Sequence, residues 1–150
     1  MGRENDFLYM EDDDRQIIYD VKKDAGLPTS ELEELMRQWQ AKLKMDDWKL
    51  SLKVVEFRRK NGYRQSGDFV ADLEKKEATI LMTNNPWRGD EEYTLVHEML
   101  HVIFYNYDKY NEDLILRNFE KFGKEHEKYM DKLEETVHYF TRIILGRSDR

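Results

Sequence analysis

The chain has 150 residues, 39% of them hydrophobic and 38% charged, and 32 acidic against 25 basic residues give a net charge of −7. That length suits one domain with a modest core, and the lack of cysteine excludes disulfides, Cys-ligated zinc and thiol nucleophiles. The acidic balance argues against phosphate-backbone binding, which takes clustered Lys and Arg.

Residues 1–14, ending in Glu11-Asp12-Asp13-Asp14, read as a mobile acidic arm, and residues 15–150 as a single domain. A short helix is expected over Arg15 to Ala25, closed by Gly26 and Pro28. Ser30 and Glu33 have the spacing of a capping box, and Leu32, Leu35, Met36, Trp39 and Leu43 follow at helical spacing, which predicts a helix from Glu31 to Lys44. From Trp48 the period changes to two: Trp48, Leu50, Leu52 and Val54 share one face of a half-exposed strand. Asn61-Gly62 signals a turn, with Arg58-Arg59-Lys60 before it read as an exposed hairpin tip that could attract an acidic partner. Asp68–Leu73 and Ala78–Thr83 read as two strands joined by Glu74-Lys75-Lys76-Glu77. A helix from Asp90 to Tyr105 comes next, with Asp90 as its N-cap, and then helical sequence from Leu114 to Leu145 interrupted near Gly123. The expected architecture is α+β: an N-terminal helix, a small, mostly antiparallel three-stranded sheet, and two further helices.

Within the third of these segments stands His97-Glu98-Met99-Leu100-His101, an H-E-x-x-H match. Residues four apart stack on one helical face, so both imidazoles can address one Zn²⁺, while Glu98, about 100° round from His97, suits a general base acting on a water. With His97 at zero, His101 falls at about 40° and Thr94 at about 60°, while Val102, Leu95, Met99, Ile103 and Val96 occupy roughly 140° to 260°. Polar site and apolar anchor are segregated on the helix.

A catalytic zinc site needs three protein ligands and an open position. The last helix offers Glu134, Glu135 and His138. Its stripe of Met130, Leu133, Val137, Phe140 and Ile144 puts Glu134 on the shoulder of the buried face, at about 100° from Leu133, and Glu135 at about 200°, towards solvent. Glu134 is therefore the expected third ligand. His138 and Tyr139 are candidates for orienting a ligand or donating a hydrogen bond to the oxyanion, with boundary packing as the alternative for both. His126, within Lys124-Glu125-His126-Glu127-Lys128, reads as solvated.

Strand Ala78–Thr83, the H-E-x-x-H helix and Glu134-Glu135-Thr136-Val137-His138-Tyr139-Phe140-Thr141 together resemble a compact zincin of the gluzincin type, most similar to small metallopeptidase-like proteins of bacteria and their phages. The second motif there runs Glu-x-x-Ala/Val-Asp/Asn-x-Phe/Leu-Ala, which sets Glu134 at the ligand position. His138 departs from the Asp or Asn that relatives often carry. The resemblance covers roughly residues 78–145 and implies a Zn²⁺-dependent hydrolase with a protein or peptide substrate. It also implies that Ala78–Thr83 lies along that substrate as an open edge, with an ordinary internal strand as the alternative.

Two functions follow as expectations. One is a zinc metallopeptidase with His97, His101 and Glu134 on the metal and Glu98 as general base. The other is a binding module on the same scaffold that engages a host protein without proteolysis; mimicry of DNA has only the −7 charge behind it. The first residues lack an apolar h-region and no apolar run reaches the ~18 residues of a membrane span, so a cytoplasmic protein without nucleic-acid or membrane partners is expected.

Overall fold

Alternating apolar residues in the middle of the chain, punctuated by turn chemistry, build a sheet, and helices with one apolar face cover it. The computed structural model describes residues 7–10, 16–20, 26–59, 62–87 and 90–147. In chain order the elements are β1 (Phe7–Met10), β2 (Gln16–Asp20), α1 (Thr29–Lys42), β3 (Lys49–Arg59), β4 (Gly67–Asp72), β5 (Glu77–Thr83), α2 (Glu91–Leu116) and α3 (Lys124–Leu145).

The α+β class holds, but the sheet is larger than expected. Five strands lie in the order β1-β2-β3-β5-β4. Part of the stretch expected as an acidic arm is β1, and Gln16–Asp20, expected to be helical, is β2, antiparallel to both β1 and β3. Ile17-Ile18 and Tyr19 are β-formers, and backbone pairing to β3 satisfies them better than one isolated helical turn. The rest of that expected arm and helix lies outside the described residues.

The three strands foreseen in the middle of the chain are β3, β4 and β5, with β3 running on to Arg59. β4 and β5 form an antiparallel hairpin, whereas β3 and β5 are parallel, with Leu52 opposite Ile80 and Val54 opposite Met82. Parallel neighbours need a crossover rather than a tight turn; here the chain passes outward through β4 before returning as β5. This topology makes β5 internal and β4 the edge, which corrects the expectation that Ala78–Thr83 is an open edge.

One face of the sheet carries the main core. Leu52 and Val54 of β3 and Ile80 and Met82 of β5 meet Leu32, Met36 and Trp39 of α1 and Leu95, Val96, Met99 and Val102 of α2. Val55 and Leu81 are fully buried in a second cluster with Phe57, so β5 has apolar side chains buried on both faces. Removing Met99 from water alone is worth roughly 1.5–3 kcal/mol, so the apolar side of α2 anchors it firmly. The opposite, polar side is then fixed in direction.

Helix ends depart from the sequence reading. Pro28 stands at the N-cap of α1 with φ −58°, and Ser30 falls inside the first turn, so the capping box does not form. Polar ties link α1 and the residues just before it to the start of α2: Leu27 N donates to Glu91 Oε2 at 2.9 Å, and Trp39 Nε1 donates to Glu92 Oε2 at 2.7 Å. The motif helix continues eleven residues past Tyr105, to Leu116. Asp108, within that continuation, accepts a hydrogen bond at Oδ1 from the Tyr129 hydroxyl of α3 at 2.8 Å. α3 packs on α2, with Val137 fully buried in the core. Among the described residues no helix is long and apolar enough to cross a membrane.

Candidate metal centre

Because Leu95, Val96, Met99 and Val102 point into the core, Tyr93, His97 and His101 line the other side of α2, one turn apart. His97 Nε2 lies 3.0 Å from Glu134 Oε1, and His101 Nε2 lies 3.0 Å from Glu134 Oε2. The three side chains can each turn one ligand atom into a group whose members lie within 4.8 Å of one another. Ligands held 2.0–2.2 Å from one tetrahedral ion stand roughly 3.3 Å apart, near the 3.0 Å between each imidazole and Glu134. His97 Nδ1 is buried and has no hydrogen-bond partner among the described residues, so the polar outlet of that ring is the Nε2 edge facing Glu134. The donor set, two imidazoles and a carboxylate, fits Zn²⁺.

Neighbours set the protonation of these groups. Burial pushes the Glu98 carboxyl up to about 8, with His101 opposing and Asp68 and Glu134 adding to the rise. Burial alone would lower His101, but the Glu134 hydrogen bond and the charges of Glu98, Glu134 and Asp108 outweigh it, and its value is raised. The Glu134 side chain is 60% exposed as a whole, yet its oxygens face the two rings. Loss of water at the carboxylate raises its value, the hydrogen bonds from His101 and His97 lower it more, and the net shift is well below the ordinary carboxylate range.

Aromatic rings fix the imidazoles. Phe69 of β4 stacks on His101 with ring centroids 5.6 Å apart and planes 14° apart. Tyr93 stacks on His97 at 5.8 Å and 25°. The Tyr93 hydroxyl is hydrogen-bonded to Nδ1 of His138, which connects α2 to α3 beside the cluster. The edge strand closes the arrangement from above: a β-carbon on Gly67 would meet Thr94 Cγ2 at 2.7 Å and Glu98 Oε2 at 3.1 Å.

These groups open onto a cleft of about 640 Å³, lined among others by His97, Glu98, Glu134 and His138. Glu135 reaches only its rim, with a side chain 70% exposed. Tyr139 is not among the residues that line this cleft: it is exposed and borders a neighbouring surface depression with Glu135, Thr136, His138 and Arg142. Tyr139 follows the buried Val137 by two residues of α3, about 200° round the helix, and that rotation carries its ring to the far side.

Three residues take places that the sequence does not announce. Tyr93 had a signal, since it precedes His97 by the same four residues that separate His97 from His101. Arg59, read as a hairpin tip, is half-buried and lines the cleft. His126 is fully buried rather than solvated: Phe122 N donates to its Nδ1 at 2.9 Å, and its Nε2 lies 2.8 Å from Glu112 Oε2. It clasps the α2–α3 connection.

Comparison with protein-family models, curated proteins and solved structures finds no match for this chain. The functional reading rests on the residues and their geometry.

Proposed function

We propose that this protein is a zinc-dependent peptidase, with His97, His101 and Glu134 as the metal ligands. The observation that carries the reading is the convergence of two histidines from one helix and a glutamate from another, with Glu98 buried on the same cleft. Zn²⁺ held there would supply the Lewis acidity that brings the pKa of a water towards ~7 and polarises a carbonyl. Glu98, whose ionised form the positive charge of a bound Zn²⁺ would favour, can then take the proton from the attacking water and return it to the departing amine, so the same carboxyl serves as base and then acid. A structural site has no use for such a group beside its histidines.

His138, tied to Tyr93, lines the cleft one turn from Glu134, and we assign it to hydrogen-bond the carbonyl oxygen as negative charge develops there. Phe69 and Tyr93 hold the imidazoles so that little reorganisation accompanies reaction. Because β5 is internal, an extended peptide would pair along β4, whose Gly67 end abuts Glu98.

The test is Glu98→Gln, measured on a quenched fluorescent peptide library. The amide keeps the shape, so zinc content should stay the same while hydrolysis falls at least ~10²-fold. Cleavage that is equal in the two proteins, or absent from both, would discard the peptidase assignment in favour of a non-hydrolytic binding protein.

A further inference from the structure

Arg59 ends β3 and lines the proposed catalytic cleft, and among the described residues it is the cleft's one Lys or Arg. Its Nη1 donates to Gln65 Oε1 at 3.1 Å, and Gln65 Nε2 donates in turn to the Gly67 carbonyl at 2.8 Å. Gln65 thereby ties the guanidinium to the start of β4, next to Glu98. Tyr63 flanks it, with the guanidinium carbon 5.5 Å from the ring centroid. The Nε is buried and has no hydrogen-bond partner among the described residues, and no described carboxylate forms an ion pair with this side chain.

A guanidinium carries five donors in a planar fork, and a buried donor left without an acceptor is costly. Arg59 is held by a neutral amide on one nitrogen while its Nε edge lacks the acceptor that the fork is shaped to receive. Where the guanidinium lines the cleft, the partner that fits it is a carboxylate, which accepts two parallel N–H bonds. On the α3 side the cleft carries Asp131, Glu134 and Glu135, so its charge is polarised, with one fixed cation at the β3–β4 end.

We propose that Arg59 determines specificity by receiving a substrate carboxylate. This rests on the peptidase reading for the word substrate, while the binding itself can be measured without hydrolysis. Two sources share the chemistry, an acidic side chain and a free C-terminus, and the experiment separates them.

Zinc-loaded Glu98→Gln protein would be titrated with three pools of acetylated hexapeptides. The first contains one Asp and ends in an amide, the second has Asn in its place, and the third is the Asn pool with a free C-terminal carboxylate. The first or third pool should bind about tenfold or more tighter than the second, the scale of a hydrogen bond to a charged group, and which of them does so names the source. Arg59→Gln in the same background should bring the ratio close to one with zinc content unchanged. Arg59→Lys keeps the charge without the fork and should retain a weaker preference, a control that survives if Gln disturbs folding. Equal binding of all pools, no binding of any, or a preference that persists in Arg59→Gln would overturn the assignment. The Glu98-intact protein is assayed for cleavage of the same pools: preference without cleavage keeps Arg59 and rejects the peptidase, and cleavage without preference does the reverse.

Discussion

Gly67 of β4 packs on Glu98 of α2 so closely that an added β-carbon would stand 3.1 Å from both Cγ and Oε2 of the glutamate and 2.7 Å from the Thr94 methyl. Thr94 is buried and cannot retreat. Gly67→Ala should therefore push β4 off the motif helix at a cost of about 1–3 kcal/mol, the usual range for overpacking. Urea unfolding should show the loss, and peptide hydrolysis should drop while zinc content remains. Native stability and native activity in the alanine variant would show that the strand has room to move.

Metal and fold should be linked. A ligand that binds only the folded chain raises its stability with the logarithm of its concentration over Kd. About one Zn²⁺ per chain is expected, and a chelator should lower the thermal midpoint of the wild type while leaving His97→Ala, which lacks a ligand, almost unmoved. A midpoint insensitive to chelation in the wild type would count against the site.

The two adjacent glutamates of α3 should behave differently. Glu134 meets both imidazoles, whereas Glu135 stands exposed at the rim and pairs with Lys132 at 3.7 Å. In a competition assay against a zinc indicator, Glu134→Ala should lose at least about tenfold in affinity, in keeping with the loss of one of three ligands, and Glu135→Ala should stay near wild type. The opposite ranking would place the ligand wrongly.

His126→Ala should destabilise the chain without touching the metal. It removes an acceptor for Phe122 N–H and the partner of Glu112, and it empties a fully buried space. Two lost hydrogen bonds and a cavity together suggest about 2–4 kcal/mol in denaturant unfolding, with zinc stoichiometry unchanged. A loss under 0.5 kcal/mol, the scale of ordinary surface changes, would mean that the clasp carries little.

Local periodicity made the helix faces legible. The 100° rule separated the His97/His101 side of α2 from its Leu95/Met99 side, and it chose Glu134 over Glu135 before any neighbour was known. Pairing partners were another matter. Alternation shows that Ala78–Thr83 is a strand but not what flanks it, although the unbroken Ile80-Leu81-Met82 run is the mark of a strand covered on both faces. The charges around His126 hid a burial that depends on Glu112, fourteen residues upstream. Arg59 is a cleft residue only because β3, β4 and α2 meet in space, and no spacing along the chain records that meeting. The aspartates before β2 suggested an arm because Phe7–Met10 and Gln16–Asp20 are too short to announce a hairpin.

An edge strand beside a cleft must admit a visitor and refuse its own kind. β4 has six residues, two of them aspartates, and both carboxylates already accept backbone N–H groups, Asp68 from Phe69 and Asp72 from Lys75. Short length and inbuilt charge are the means by which sheets avoid adding copies of themselves. Two such edges brought together would set like charges close to one another, whereas a peptide without acidic residues along that stretch meets no such repulsion. The open border of this sheet is thereby guarded against self-association without being sealed.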